Sequence, residues 1–114
     1  MELITKDQRK QLLANGEATR KNPDADPFPV VKLFTPDAQA TWLLTELIPD
    51  ETDIAFGLCD LGLGSPELGY VSLIEILSVR GQLGLPVERD LSFEADKPLS
   101  VYAEQARSLG RIRV

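Results

Sequence analysis

The chain has no histidine among its 114 residues and one cysteine, Cys59. Without histidine there is no Ser-His-Asp or Cys-His triad, no His-containing zinc site and no imidazole base for proton transfer near neutral pH. One cysteine makes neither an internal disulfide nor a CxxC pair. Long apolar runs are missing too. The longest stretch free of Asp, Glu, Lys and Arg is eight residues, Ala38 to Thr45, against about 20 apolar residues for a membrane-spanning helix. The opening MELITKDQRK has charges where a secretory signal would place its apolar core, so the expectation is a soluble, cytoplasmic protein.

Positive charge is absent over a long interval. Between Lys32 and Arg80 lie 47 residues with no Lys or Arg, holding Asp37, Glu46, Asp50, Glu51, Asp53, Asp60, Glu67 and Glu75. This middle block carries −8, the two flanks +1 each, and the chain −6. A face of that sign repels phosphate backbones, which argues against direct nucleic-acid binding and for a basic protein surface as partner. The plainer reading is that the acids only keep a small protein soluble.

What is present suits one globular domain: 43% apolar residues can bury a core, and 26% charged residues is ordinary. Thr5 with Gln8 is a T-x-x-Q capping box, and Asn15-Gly16 reads as a stop, giving a helix over 6–15. The proline-rich segment 18–29 reads as an exposed connector. Period-two patterning predicts a strand over 30–34, a turn at Thr35-Pro36-Asp37-Ala38, and a strand over 40–48 with Trp42, Leu44, Glu46 and Ile48 on one face. A third strand over 54–60 completes an antiparallel meander. Leu61 to Pro66 is a glycine-rich loop, Glu67–Val71 a fourth strand, and Ser72 with Glu75 caps a helix over 73–79. A fifth strand over 87–94 and a helix over 98–109, ending at Gly110, close the chain; residues 98–114 form a C-terminal helix and tail of variable character. The order α-β-β-β-β-α-β-α with short links indicates α+β: a mainly antiparallel sheet of four to five strands with about three flanking helices. The expected core is Leu33, Leu44, Phe56, Leu58, Ile76, Leu77, Leu91 and Phe93.

Among chemistry-bearing residues, the glycine-rich loop has no Lys nearby and so no P-loop; its glycines read as carriers of positive φ. Asp24 with Asp26, or Asp50, Glu51 and Asp53, lack EF-hand spacing and read as solvated turn acids, with no metal and no cofactor expected. In Glu88-Arg89-Asp90 strand alternation points Arg89 inward, where it needs a carboxylate; Glu46, Glu67 and Glu75 are the candidates for a structural ion pair. Arg80 beside Gly81 reads as a charge complementing a helix C-terminus. Cys59, in an acidic neighbourhood, reads as an inert thiol. The candidate binding surface is Asp37, Asp50, Glu51, Asp53, Asp60 and Glu67.

Several stretches, in order, resemble a bacterial domain-of-unknown-function family numbered 2958: Leu3-Ile4-Thr5, Val31 to Asp37 with Thr41-Trp42, Phe56-Gly57 through Leu73, and Arg80 to Asp90 with Phe93. The resemblance covers roughly residues 2–100, leaving the tail after Tyr102 outside. It implies a setting on plasmids, transposons and integrated elements, beside antirestriction and DNA-processing genes, and brings no catalytic residues. The expectation is a non-enzymatic, protein-binding accessory of a mobile element that blunts a host defence such as restriction or CRISPR through its acidic surface. The alternatives are a small enzyme using Asp60, Glu67, Glu88 and Asp90 around Arg80 or Arg89, a ligand-binding domain, and an accessory of conjugation or replication machinery.

Overall fold

The computed structural model of the chain describes residues 2–114. Helix α1 spans Lys6–Lys21, followed by strands β1 (Val31–Phe34), β2 (Thr41–Ile48), β3 (Glu51–Asp60) and β4 (Glu67–Ser72), helix α2 (Leu73–Ser78), strand β5 (Glu88–Arg89) and helix α3 (Leu99–Leu109). The strands make one sheet in the order β4-β3-β2-β1-β5 with every pairing antiparallel. The expected single-domain α+β fold is therefore what forms. The first four strands are a meander, and α2 with the loop after it carries the chain from the β4 edge to the opposite edge. There Leu33 and Phe34 pair with Arg89 and Glu88.

Thr5 caps α1 as its spacing predicts: its side chain accepts from Gln8 N at 3.0 Å, and Gln8 Oε1 accepts from Thr5 N at 2.9 Å. The expected stop at Asn15-Gly16 is corrected, since the helix runs on to Lys21. The reason lies in a neighbour. β1 pairs only with Thr41–Leu44, so the remainder of β2 has no strand on that side, and α1 lies there instead. Asn15 Nδ2 donates to Thr45 O at 2.8 Å, and Gly16 comes so close to β2 that a Cβ on it would fall 2.0 Å from Leu47 O. Gly16 is present for close approach and not for a left-handed turn.

Helices cover the sheet on both faces. Leu12 of α1 and Leu73 and Ile76 of α2 pack with Leu33, Trp42, Leu44 and Leu47 on one face. Leu99, Tyr102, Ala103 and Ala106 of α3 pack with Leu43 and Leu58 on the other. Hence Trp42 through Leu47 are buried without alternation. The expected common face of Trp42, Leu44, Glu46 and Ile48 is corrected by an irregularity in register between Leu44 and Glu46. This bulge moves Glu46 opposite Phe56, on the α3 side.

Leu33, Leu44, Leu58 and Ile76 are in the core as expected, while Phe56 and Phe93 are half-buried against its α3 side. The expected burial of Leu77 and Leu91 is corrected, since both are exposed. With six residues, α2 turns one narrow stripe inward, Leu73 and Ile76, and Leu77 falls outside it. The expected fifth strand over 87–94 shrinks to two residues because Asp90 starts a turn, its side chain accepting from Ser92 N at 2.9 Å and its carbonyl from Phe93 N at 3.4 Å. Alternation ends there, and Leu91 faces water. No helix among the described residues is long and apolar enough to cross a membrane.

Candidate functional site

The six acids expected to form a binding surface do not share one. Asp37 holds the loop before β5, its Oδ2 accepting from Leu83 N at 2.7 Å and Leu85 N at 3.3 Å. Asp53 caps α2, accepting from Ser72 Oγ at 2.6 Å and Ile74 N at 3.0 Å. Asp60 is only 3% exposed and accepts from Gly62 N at 2.8 Å and Ile112 N at 2.9 Å, tying the glycine-rich loop to the tail beyond α3. These three carboxylates satisfy backbone donors that would otherwise be orphaned. Asp50, Glu51 and Glu67 are exposed, and Asp50 meets Arg20 at 3.2 Å across the surface.

The expected ion pair of Arg89 is also corrected. Arg89 donates to Glu2 O at 2.5 Å, Glu75 is exposed on α2, and among the described residues neither Glu46 nor Glu75 pairs with it. Arg89 is half-buried, and its guanidinium reaches the surface, where a chain carbonyl of the N-terminal segment accepts from it. Nor do the residues of the enzyme alternative converge, because Glu67 lies on β4 and Glu88 on β5, the two opposite edges of the sheet. Among the described residues no group of three or more His, Cys, Asp or Glu is placed to hold a metal ion. Arg80 donates to Leu77 O and Val79 O, both at 2.8 Å, and so covers the end of α2 as its position suggests. Burial, and then the Glu67 charge, push the Cys59 thiol up to about 11.

The acid that stands apart is Glu46. It is 6% exposed and lies at the floor of an open cleft of about 440 Å³. The bulge in β2 turns it there, away from the Trp42 side. Its Oε1 accepts from Thr19 Oγ1 at 3.1 Å, and its Oε2 receives no hydrogen bond among the described residues. Desolvation raises the Glu46 carboxyl above its usual range, and the Thr19 bond pulls it part of the way back. One wall is aromatic: Phe56 and the exposed Tyr70 meet edge to face with ring centres 5.0 Å apart. The rim is the connector after α1, which brings Asp24 and Asp26 to the cleft. That connector is pinned to the start of α3, where Leu99 N donates to Pro27 O at 3.0 Å and Ser100 N to Asp26 Oδ1 at 3.1 Å. The cleft thus combines a desolvated carboxylate, ring faces and an acidic rim, a set suited to holding a positive group.

In the sequence Glu46 stands out as an acid interrupting an apolar strand and Asp24 and Asp26 as a pair, with nothing to bring the three together. Thr19, Phe56 and Tyr70 were not read as site residues, since the bulge that assembles them leaves no signature in the residue pattern.

The family described as Protein of unknown function (DUF2958) has a model that matches residues 3–113, and the chain belongs to it. The match takes in α3 and most of the tail, so the boundary expected near Tyr102 is corrected. No curated protein and no solved structure matches the chain.

Proposed function

We propose that this member of the family is a non-catalytic binding module that engages the basic surface of another protein, with the Glu46 cleft at the centre of the contact. One observation carries this reading: a nearly buried carboxylate with one oxygen unbonded, at the floor of an open cleft with acids on its rim. Its Oε2 opens to the cleft, so a cation arriving from a partner replaces water there with a charge-assisted hydrogen bond. Asp50 and Glu51, exposed at the turn between β2 and β3, extend the negative field on the side of α1 that Arg20 occupies. Such a field accelerates encounter with a basic groove. The partner class we propose is a host complex that handles nucleic acid, of restriction or CRISPR type, because such complexes present basic grooves and because the resemblance to the family implies a mobile-element setting.

The test has two parts. The chain is titrated against arginine- and lysine-rich peptides and against the same peptides with glutamine in place of every basic residue, at low and high salt. Binding confined to the basic peptides and weakened by salt supports the reading, whereas equal binding of the neutral peptides overturns it. In assays of purified restriction or CRISPR complexes, inhibition by a stoichiometric binder saturates at a fixed molar ratio and survives EDTA. Turnover of a substrate by the chain itself would overturn the non-catalytic reading.

A further inference from the structure

Resting on the binding reading above and deepening it, we infer that the Glu46 cleft is a receptor for one guanidinium group, an arginine side chain of the partner, seated between the free Glu46 oxygen and the Phe56–Tyr70 wall. Glu46 is 6% exposed and lines the cleft, and its Oε2 is without a donor among the described residues, so the cleft presents an acceptor that the protein itself leaves unfilled. The neighbouring Thr45 hydroxyl is already committed, since Thr45 Oγ1 donates to Phe56 O at 3.2 Å. At about 440 Å³ the space accepts a planar head group together with its aliphatic stem.

The lining chooses between the two basic side chains. Alongside the acids the cleft is walled by Phe56, Tyr70, Leu68 and Leu99, so an entering cation gives up much of its water. An ammonium is compact and strongly hydrated, while a guanidinium is more weakly hydrated, stacks on aromatic faces and presents N–H groups in a fixed plane. A guanidinium can donate to Oε2 while its face lies on an aromatic ring, and its outer N–H groups still point to the acidic rim. Tyr70, 68% exposed at the cleft mouth, is the ring free to meet an incoming side chain. The connector carrying Asp24 and Asp26 is fixed to α3 through Pro27 and Asp26 before any ligand arrives, so the rim is preorganised.

The probe is Nα-acetyl-arginine N-methylamide added to the full chain, followed by amide and aromatic chemical shifts in NMR, with the lysine and citrulline analogues alongside. Citrulline keeps the shape of arginine and removes its charge. The expected result is saturable binding of the arginine probe in the millimolar range, with shifts at Glu46, Phe56 and Tyr70. Lysine should bind several-fold more weakly and citrulline not measurably. Glu46→Gln should weaken the arginine probe about tenfold or more, the scale of a lost hydrogen bond between charged groups. Tyr70→Ala, at an exposed position where folding is not at stake, should weaken it several-fold. Equal binding of citrulline, affinity unchanged in Glu46→Gln, or no saturable binding overturns the inference. If basic peptides still bind in a salt-dependent way while the arginine probe fails, this inference falls and the broader reading stands. If both fail, the broader reading falls as well.

Discussion

Glu46 makes opposite demands on stability and on binding, and both are measurable. Folding removes part of its carboxylate from water and returns one hydrogen bond, from Thr19. Its proton is therefore held more tightly in the folded chain than in the unfolded one. By linkage, stability falls as pH rises from the unfolded toward the folded value and is then level, so the penalty is fully present at neutral pH. Glu46→Gln should therefore stabilise the chain by about 1 kcal/mol at pH 7. That advantage should shrink as the pH drops through the carboxylate range and the native Glu46 takes up its proton; urea unfolding at several pH values checks both the sign and the trend. A variant that gains stability while losing affinity for basic ligands marks a residue kept for binding. Asp90 has the opposite sign, since Ser92 N–H and Lys32 hold its carboxyl low, and its contribution is lost as pH falls through that lowered value. For Cys59, with its thiol at about 11, alkylation near neutral pH should run roughly a hundredfold slower than for an unperturbed thiol and accelerate with rising pH. Iodoacetamide labelling followed by mass spectrometry reads this directly.

At the scale of elements, the seam between α1 and β2 is where sequence reasoning reached its limit. The capping box, the meander, the Ser72 cap and the Gly110 stop were legible because each is a local pattern whose hydrogen bonds close within a few residues. The helix extension through Gly16 was not, because a glycine that permits close approach and a glycine that ends a helix look alike until the neighbour is known. The bulge in β2 escaped for a related reason: both of its faces are buried, so no polar alternation betrays a change of face between Leu44 and Glu46. The cleft was therefore readable only as separate parts. Gly16→Ala tests the seam. By propensity alone, alanine in a helix gains about 1 kcal/mol over glycine. The methyl would meet Leu47 O at 2.0 Å, a backbone atom that cannot swing aside. Overpacking of this kind should win, for a net loss of about 2 kcal/mol, seen as a lower thermal midpoint. An unchanged midpoint would mean that helix and strand can separate without cost.

Across the whole molecule, the acidic middle resolves into two populations that its net charge could not distinguish. Asp37, Asp53 and Asp60 hold loops and a helix start through backbone donors, Asp37 by its Oδ2 alone, its buried Oδ1 having no hydrogen-bond partner among the described residues. Asp50 and Glu51 stand in solvent. The distinction predicts divergent outcomes for one kind of substitution. Reversing Asp50 and Glu51 to Lys should leave the unfolding midpoint nearly unchanged, because the contact of Asp50 with Arg20 is exposed and such pairs contribute little. The same double reversal should slow association with basic peptides several-fold at low salt and far less at high salt, where charges beyond a Debye length of about 8 Å are screened. Asp60→Lys should instead destabilise the chain by about 3 kcal/mol or more, because it places an unpaired charge in a site that is 3% exposed and releases the N–H groups of Gly62 and Ile112. Stopped-flow association measured beside chemical unfolding separates the two. If the Asp50 and Glu51 reversal left the association rate unchanged at low salt, the negative field would have no part in recognition, and any binding would rest on the Glu46 cleft alone.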